Sequence, residues 1–123
     1  MGKEKTLAIC IPTFNREKAL DATLARIEEE IGPVREEVEV CISDNGSPDN
    51  TRTVVEKWMG KLPIIYARNE TNVGYDINVA RVAKLASARY VWFIGDDDYI
   101  IPGSVKRMVN GIKANQDKKI GTI

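Results

Sequence analysis

Short apolar, β-rich runs alternate along this chain with longer stretches whose apolar residues recur every three or four positions. Leu7-Ala8-Ile9-Cys10-Ile11 reads as a buried strand ended by Pro12. Leu20, Leu24, Ile27 and Ile31 then fall on one face of a helix from about Glu17 to Glu30, which Gly32-Pro33 stops. Val38 to Ser43 is a second strand, and Asp44-Asn45-Gly46-Ser47-Pro48 is dense turn chemistry. Val54, Val55, Trp58, Met59 and Leu62 mark a second helix, and Pro63 to Ala67 a third strand. After a loop from Asn69 to Gly74, the residues Ile77, Ala80, Val82, Ala83 and Leu85 predict a third helix over about Asp76 to Ala86. Tyr90 to Ile94 is the fourth and most apolar strand. Pro102 fits the first position of a fourth helix, with Val105, Met108, Val109 and Ile112 on its inner face. Ile120 to Ile123 reads as the start of a fifth strand cut short.

Strands alternating with helices of this length predict an α/β class, a Rossmann-like, mostly parallel sheet with helices on both faces. At 123 residues the chain is one domain long. With 18 Lys+Arg against 18 Asp+Glu it has no net charge, so it lacks the cationic surplus that a nucleic-acid binder needs. It contains no His, which excludes a Ser-His-Asp hydrolase and an H-E-x-x-H zinc protease. Cys10 and Cys41 lie in apolar runs and read as buried thiols of a reducing compartment. No apolar h-region follows Met1 and no apolar run reaches the ~20 residues of a membrane span. The expected setting is cytoplasmic, or membrane-peripheral for a full-length enzyme.

Open parallel sheets bind ligands beyond the carboxyl ends of their strands. Polar and small residues gather at those ends here: Pro12 to Arg16 after the first strand, Asp44 to Ser47 after the second, Asn69, Asn72 and Gly74 after the third, and Gly95-Asp96-Asp97-Asp98 after the fourth. Three adjacent carboxylates repel one another unless a cation or hydrogen-bond donors relieve them. Mg²⁺ or Mn²⁺ shared with phosphate oxygens suits such a set, and a solvated turn capping the next helix is the plainer alternative. Asp44 is either an Asx-turn residue or an acceptor for a pyrimidine base or a ribose hydroxyl. Thr13 and Asn15 read equally as caps of the first helix, Asn72 and Gly74 as turn formers, and Asn78 as a tolerated polar residue on a helix.

Taken together, Ile9 to Arg16, Ile42 to Ser47, Asn72-x-Gly74 and Phe93 to Asp98 resemble, in order, the signature blocks of inverting family-two glycosyltransferases of the GT-A fold. The resemblance implies a nucleotide-sugar donor of UDP type, a divalent metal (Mn²⁺ or Mg²⁺), and transfer with inversion to a hydroxyl of a saccharide or lipid-linked acceptor. It implies that Pro12, Thr13, Asn15, Asn72 and Gly74 line the nucleotide, that Asp44 meets the base and that Asp96 meets the ribose. The metal falls to Asp97, with Asp96 and Asp98 as neighbours, because the family's Asp-x-Asp would put its first acid at Gly95. The family's acceptor half and catalytic base fall beyond residue 123. The chain is therefore expected to be a donor-binding half, inactive alone, with a sheet edge open to self-association. A sugar-phosphate nucleotidyltransferase is a weaker alternative, since Pro12 to Arg16 contains no glycine, and a non-catalytic nucleotide-binding module is the other.

Overall fold

The computed structural model describes residues 4–117, so the fifth strand expected at Ile120 to Ile123 lies outside the described residues. The element order is β1 (Leu7–Thr13), α1 (Glu17–Ile31), a 3₁₀ segment (Gly32–Glu37), β2 (Val38–Asp44), α2 (Thr51–Met59), β3 (Ile64–Arg68), α3 (Tyr75–Leu85), β4 (Tyr90–Phe93) and α4 (Ser104–Asp117). All pairings are parallel and the strand order is β3-β2-β1-β4.

That order decides which helix covers which face. The chain steps outward from β1 to β2 to β3, then returns across the sheet to β4. Right-handed crossovers put the outward connections on one face and the returning one on the other. Accordingly Leu7, Ile9, Ile11, Val38, Val40 and Ile42 pack with Leu20, Leu24 and Ile27 of α1, Val55 of α2 and Val105 and Val109 of α4. The opposite face is thinner, with Ala8, Cys10 and Cys41 under Val82 of α3. Cys10 and Cys41 stand directly opposite in register, and both are buried free thiols.

Three local expectations are corrected. Strand β1 runs through Pro12 to Thr13 instead of ending at Pro12. The carbonyls of Thr6 and Cys10 accept bonds from β4, so Pro12 would turn its amide to that same side, where β4 has already ended opposite Cys10. A proline there costs no ladder bond. Helix α4 begins at Ser104 and not at Pro102, because Gly103 intervenes with φ +84°. Its amide is taken by Glu30 Oε1 at 2.6 Å. In α3 the buried face carries Asn78 and Val82 while Ile77 is exposed. The helix is rotated so that Asn78 meets the sheet: its Nδ2 donates to the Ser43 carbonyl (2.9 Å) and its Oδ1 accepts from the Ser43 hydroxyl (2.7 Å). Among the described residues β4 lies at the edge of the sheet, and its Val91 and Phe93 are exposed. Among the described residues no helix is long and apolar enough to cross a membrane.

Candidate functional site

The reversal of strand order between β1 and β4 opens a crevice at the carboxyl end of the sheet, the place where such folds bind ligands. A cavity of about 420 Å³ lies there. Pro12, Thr13, Phe14 and Arg16 wall it from the β1 end, Asn45 from β2, Asn72, Tyr75 and Asn78 from the start of α3, and Gly95, Asp96 and Asp97 from β4.

Asp96 is the fixed acid of the site. Its Oδ2 accepts the Thr13 hydroxyl at 2.8 Å and its carbonyl accepts the Thr23 hydroxyl of α1 at 2.8 Å. Burial pushes its carboxyl above the usual range, and nearby Asp97 adds to this, while the Thr13 hydroxyl and Arg16 pull the other way. Asp97 is exposed, and its Oδ2 accepts from Arg16 Nη1 at 2.8 Å. Arg16 Nε also lies 3.8 Å from Asp96 Oδ1, so two carboxylates converge on one cation. Asp98 is turned away: its Oδ2 accepts the Gly95 amide at 2.7 Å, which closes the turn after β4. Among the described residues no three His, Cys, Asp or Glu side chains gather on one point, so the triplet is a pair plus a turn-former.

The other wall is an amide network. Asn69 donates to Asn45 Oδ1 (2.9 Å) and Asn78 Oδ1 (3.0 Å) and accepts from Arg81 Nη1 (2.7 Å). Asn45 in turn donates to Asn72 Oδ1 at 2.9 Å and accepts the Val73 amide at 3.0 Å. The loop before α3 is thereby tied to the end of β2, and Asn45 and Asn78 are presented to the cavity in fixed orientations. Gly74, with φ +94°, makes the turn into α3.

Of the residues singled out from sequence, Pro12, Thr13, Asn72, Asp96 and Asp97 line the cavity, whereas Asn15, Asp44, Gly74 and Asp98 do not. Asn15 adopts φ +55° and gives its amide to Ser47 Oγ at 2.8 Å, which fixes the turn into α1. Asp44 is fully buried and accepts the Ser47 amide at 2.9 Å and the Tyr66 hydroxyl at 2.7 Å, with Arg68 Nε 3.7 Å away. Phe14, Arg16, Asn45, Tyr75 and Asn78 join the lining without having been assigned to it. For Asn78 a signal was present: it precedes Val82 by four positions and so shares its face.

Comparison with known proteins agrees with this geometry. Residues 8–121 match the family described as Glycosyl transferase family 2. The abequosyltransferase RfbV of Salmonella typhimurium is 37% identical over 101 residues, covering 80% of this chain and 30% of that protein. The poly(ribitol-phosphate) beta-N-acetylglucosaminyltransferase TarS of Staphylococcus aureus is 34% identical over 100 residues, covering 80% of this chain and 17% of that protein. The crystal structure of TarS 1-349 in complex with UDP-GlcNAc matches with a TM-score of 0.82 at 29% identity, over 90% of this chain and 32% of that one. The mannosyltransferase PcManGT from Pyrobaculum calidifontis, in complex with GDP-Man and Mn²⁺, matches with a TM-score of 0.78 over 97% of this chain and 34% of that one. At 20% identity that second likeness speaks for the fold alone. The chain spans about a third or less of each of these proteins. With a parallel sheet of GT-A type and a match along nearly its whole length, the chain belongs to glycosyl transferase family 2.

Proposed function

We propose that this chain is the donor-binding half of an inverting glycosyltransferase that carries a sugar from a UDP-type nucleotide to a hydroxyl of a saccharide or lipid-linked acceptor. The observation that carries this reading is the pair of carboxylates, Asp96 and Asp97, converging on one cation at the strand-order switch. Two carboxylates facing a single positive charge fit a divalent, oxygen-seeking ion shared with phosphate oxygens. Asp97, the exposed acid, would ligate it, and Asp96, which accepts the Thr13 hydroxyl, would meet the ribose. Bound there, Mg²⁺ or Mn²⁺ would supply Lewis-acid stabilisation of the departing diphosphate.

The chain's own residues do the rest of the binding. Phe14 and Tyr75 offer exposed aromatic faces to the flat base, and Asn45, Asn72 and Asn78 offer amides whose orientations the network fixes. Asp44 is fully buried and outside the cavity lining, so a pyrimidine N–H would reach it at the base end only by displacing the Tyr66 hydroxyl. The acceptor's general base is not assigned to any of these residues, so sugar transfer by this chain alone is expected to fall short of a full enzyme by ~10²- to 10⁴-fold.

Calorimetric melting with and without Mn²⁺ and UDP tests the proposal. Ligand at ~100 times its Kd adds about 2.7 kcal/mol, a shift of several degrees for a domain of this size. The shift should require Mn²⁺ and should disappear in Asp97→Asn. A metal-independent shift would favour the non-catalytic binding module. Pyrophosphate release from a nucleoside triphosphate and a sugar phosphate would favour the nucleotidyltransferase.

A further inference from the structure

Arg16 is the one cationic side chain among the residues that line the cavity. Its Nη1 stands 2.8 Å from Asp97 and its Nε 3.8 Å from Asp96, the two acids assigned above to metal and ribose. We infer that Arg16 is an exchangeable counter-ion: it neutralises the acid pair in the free protein, yields that place to a divalent cation when the donor binds, and transfers its guanidinium to the diphosphate. The inference rests on the nucleotide-diphosphate reading given above and adds to it a specific role for Arg16.

Charge requires some such exchange. A diphosphate brings at least two negative charges into a cavity that already holds Asp96 and Asp97, and a single guanidinium cannot balance all four. A divalent ion at the acids supplies two of the three missing charges, but it cannot share one point with a guanidinium, because two cations at that separation repel. The freed fork then has the diphosphate as its natural partner, since guanidinium binds phosphate oxygens through two parallel N–H bonds.

The local structure makes the exchange inexpensive. The side chains of Arg16 and Asp97 are 53% and 55% exposed, and an ion pair in water of this kind holds by a factor of about five or less. The backbone on either side does not need to move. The amide of Asn15 is held by Ser47 Oγ, that of Glu17 by Asp49 Oδ2 at 3.1 Å, and the Arg16 carbonyl accepts the Leu20 amide at 2.9 Å. Only side-chain torsions of Arg16 remain free, so the switch is one residue changing rotamer on a fixed turn.

Isothermal titration of the parent, Arg16→Ala and Arg16→Lys separates this role from that of a structural ion pair. Mn²⁺ is titrated alone, and UDP is then titrated at saturating Mn²⁺. Removing the competitor should tighten Mn²⁺ alone by roughly two- to fivefold in Arg16→Ala. Removing the phosphate ligand should weaken UDP by roughly tenfold or more in the same variant. Arg16→Lys should hold Mn²⁺ near the parent value and recover part of the UDP affinity, because it keeps the charge and loses the fork. Opposite movements of the two affinities support the inference. Affinities that fall together, or that both stay at the parent value, overturn it while leaving the donor site standing. If the parent itself binds neither Mn²⁺ nor UDP, the donor reading fails and the exchange fails with it. Should Arg16→Ala not fold, Arg16→Gln carries the same two titrations.

Discussion

Replacing Asp44 should remove a large part of the protein's stability, by an amount that its contacts set. The side chain is fully buried. Its Oδ1 accepts the Ser47 amide at 2.9 Å, and its Oδ2 accepts the Tyr66 hydroxyl at 2.7 Å and faces Arg68 Nε at 3.7 Å. Alanine would leave a buried amide and a half-buried phenol without acceptors, and Arg68 without its counter-charge. Each hydrogen bond to a charged acceptor is worth ~1.5–3 kcal/mol, so the two together come to ~3–6 kcal/mol, and the partly exposed Arg68 at 3.7 Å adds little. A domain of this size has ~5–15 kcal/mol to lose. Asp44→Ala should therefore melt about 10–20 °C below the parent. Asp44→Asn keeps an oxygen for the Ser47 amide but loses the charge and the acceptor of the Tyr66 hydroxyl, so it should fall by roughly half as much. Because the same carboxylate is assigned to the base, UDP affinity should fall in Asp44→Asn while the Mn²⁺ requirement is kept. Circular dichroism melts of both variants, followed by UDP titration of Asp44→Asn below its midpoint, give both readouts. An Asp44→Ala protein melting within a few degrees of the parent would refute the view of this residue as the hub of the β2–β3 end.

Other perturbations probe the same site from different sides. Burial holds the Asp96 carboxyl above its unfolded value, so the folded protein binds the extra proton between the two values and stability falls as pH rises through that window. In metal-free, ligand-free buffer, Asp96→Asn, which keeps an oxygen for Thr13, should melt level with or a few degrees above the parent at pH 7, and the gain should fade below the ordinary carboxylate range. A clearly lower midpoint at pH 7 would count against it. Gly46→Ala should cost ~1–3 kcal/mol and weaken UDP, because Gly46 has φ +79° and a Cβ there would stand 3.0 Å from the Thr71 carbonyl carbon, displacing the loop that the amide network holds. Equilibrium unfolding in urea measures the first effect. Cys10 and Cys41 should resist iodoacetamide in the folded protein and react in denaturant, since both are fully buried and the adjacent Cys10 thiol, together with burial, pushes Cys41 up. Rapid alkylation of either in native buffer contradicts the packing.

The elements and the class were legible in the sequence because they depend on local period. Leu20, Leu24, Ile27 and Ile31 mark one helix face whatever lies beneath it, and all four are buried. Continuous apolar runs such as Leu7 to Ile11 need cover on both sides, which a parallel sheet between helices provides. The end of the sheet that carries the chemistry was legible for the same reason, since every strand is followed by polar and small residues. Partnership across the chain was not. The sequence separates Arg16 from Asp97 by 81 residues, and only the order β3-β2-β1-β4, with β4 returning beside β1, sets them 2.8 Å apart. The same tertiary placement turned Asp44 inward to Tyr66 and Arg68, and rotated Asn78 under the sheet while exposing Ile77. Periodicity reports which side of an element is apolar. A polar side chain takes its role from the donor or charge that strand order brings within reach, and that partner lies far away along the chain.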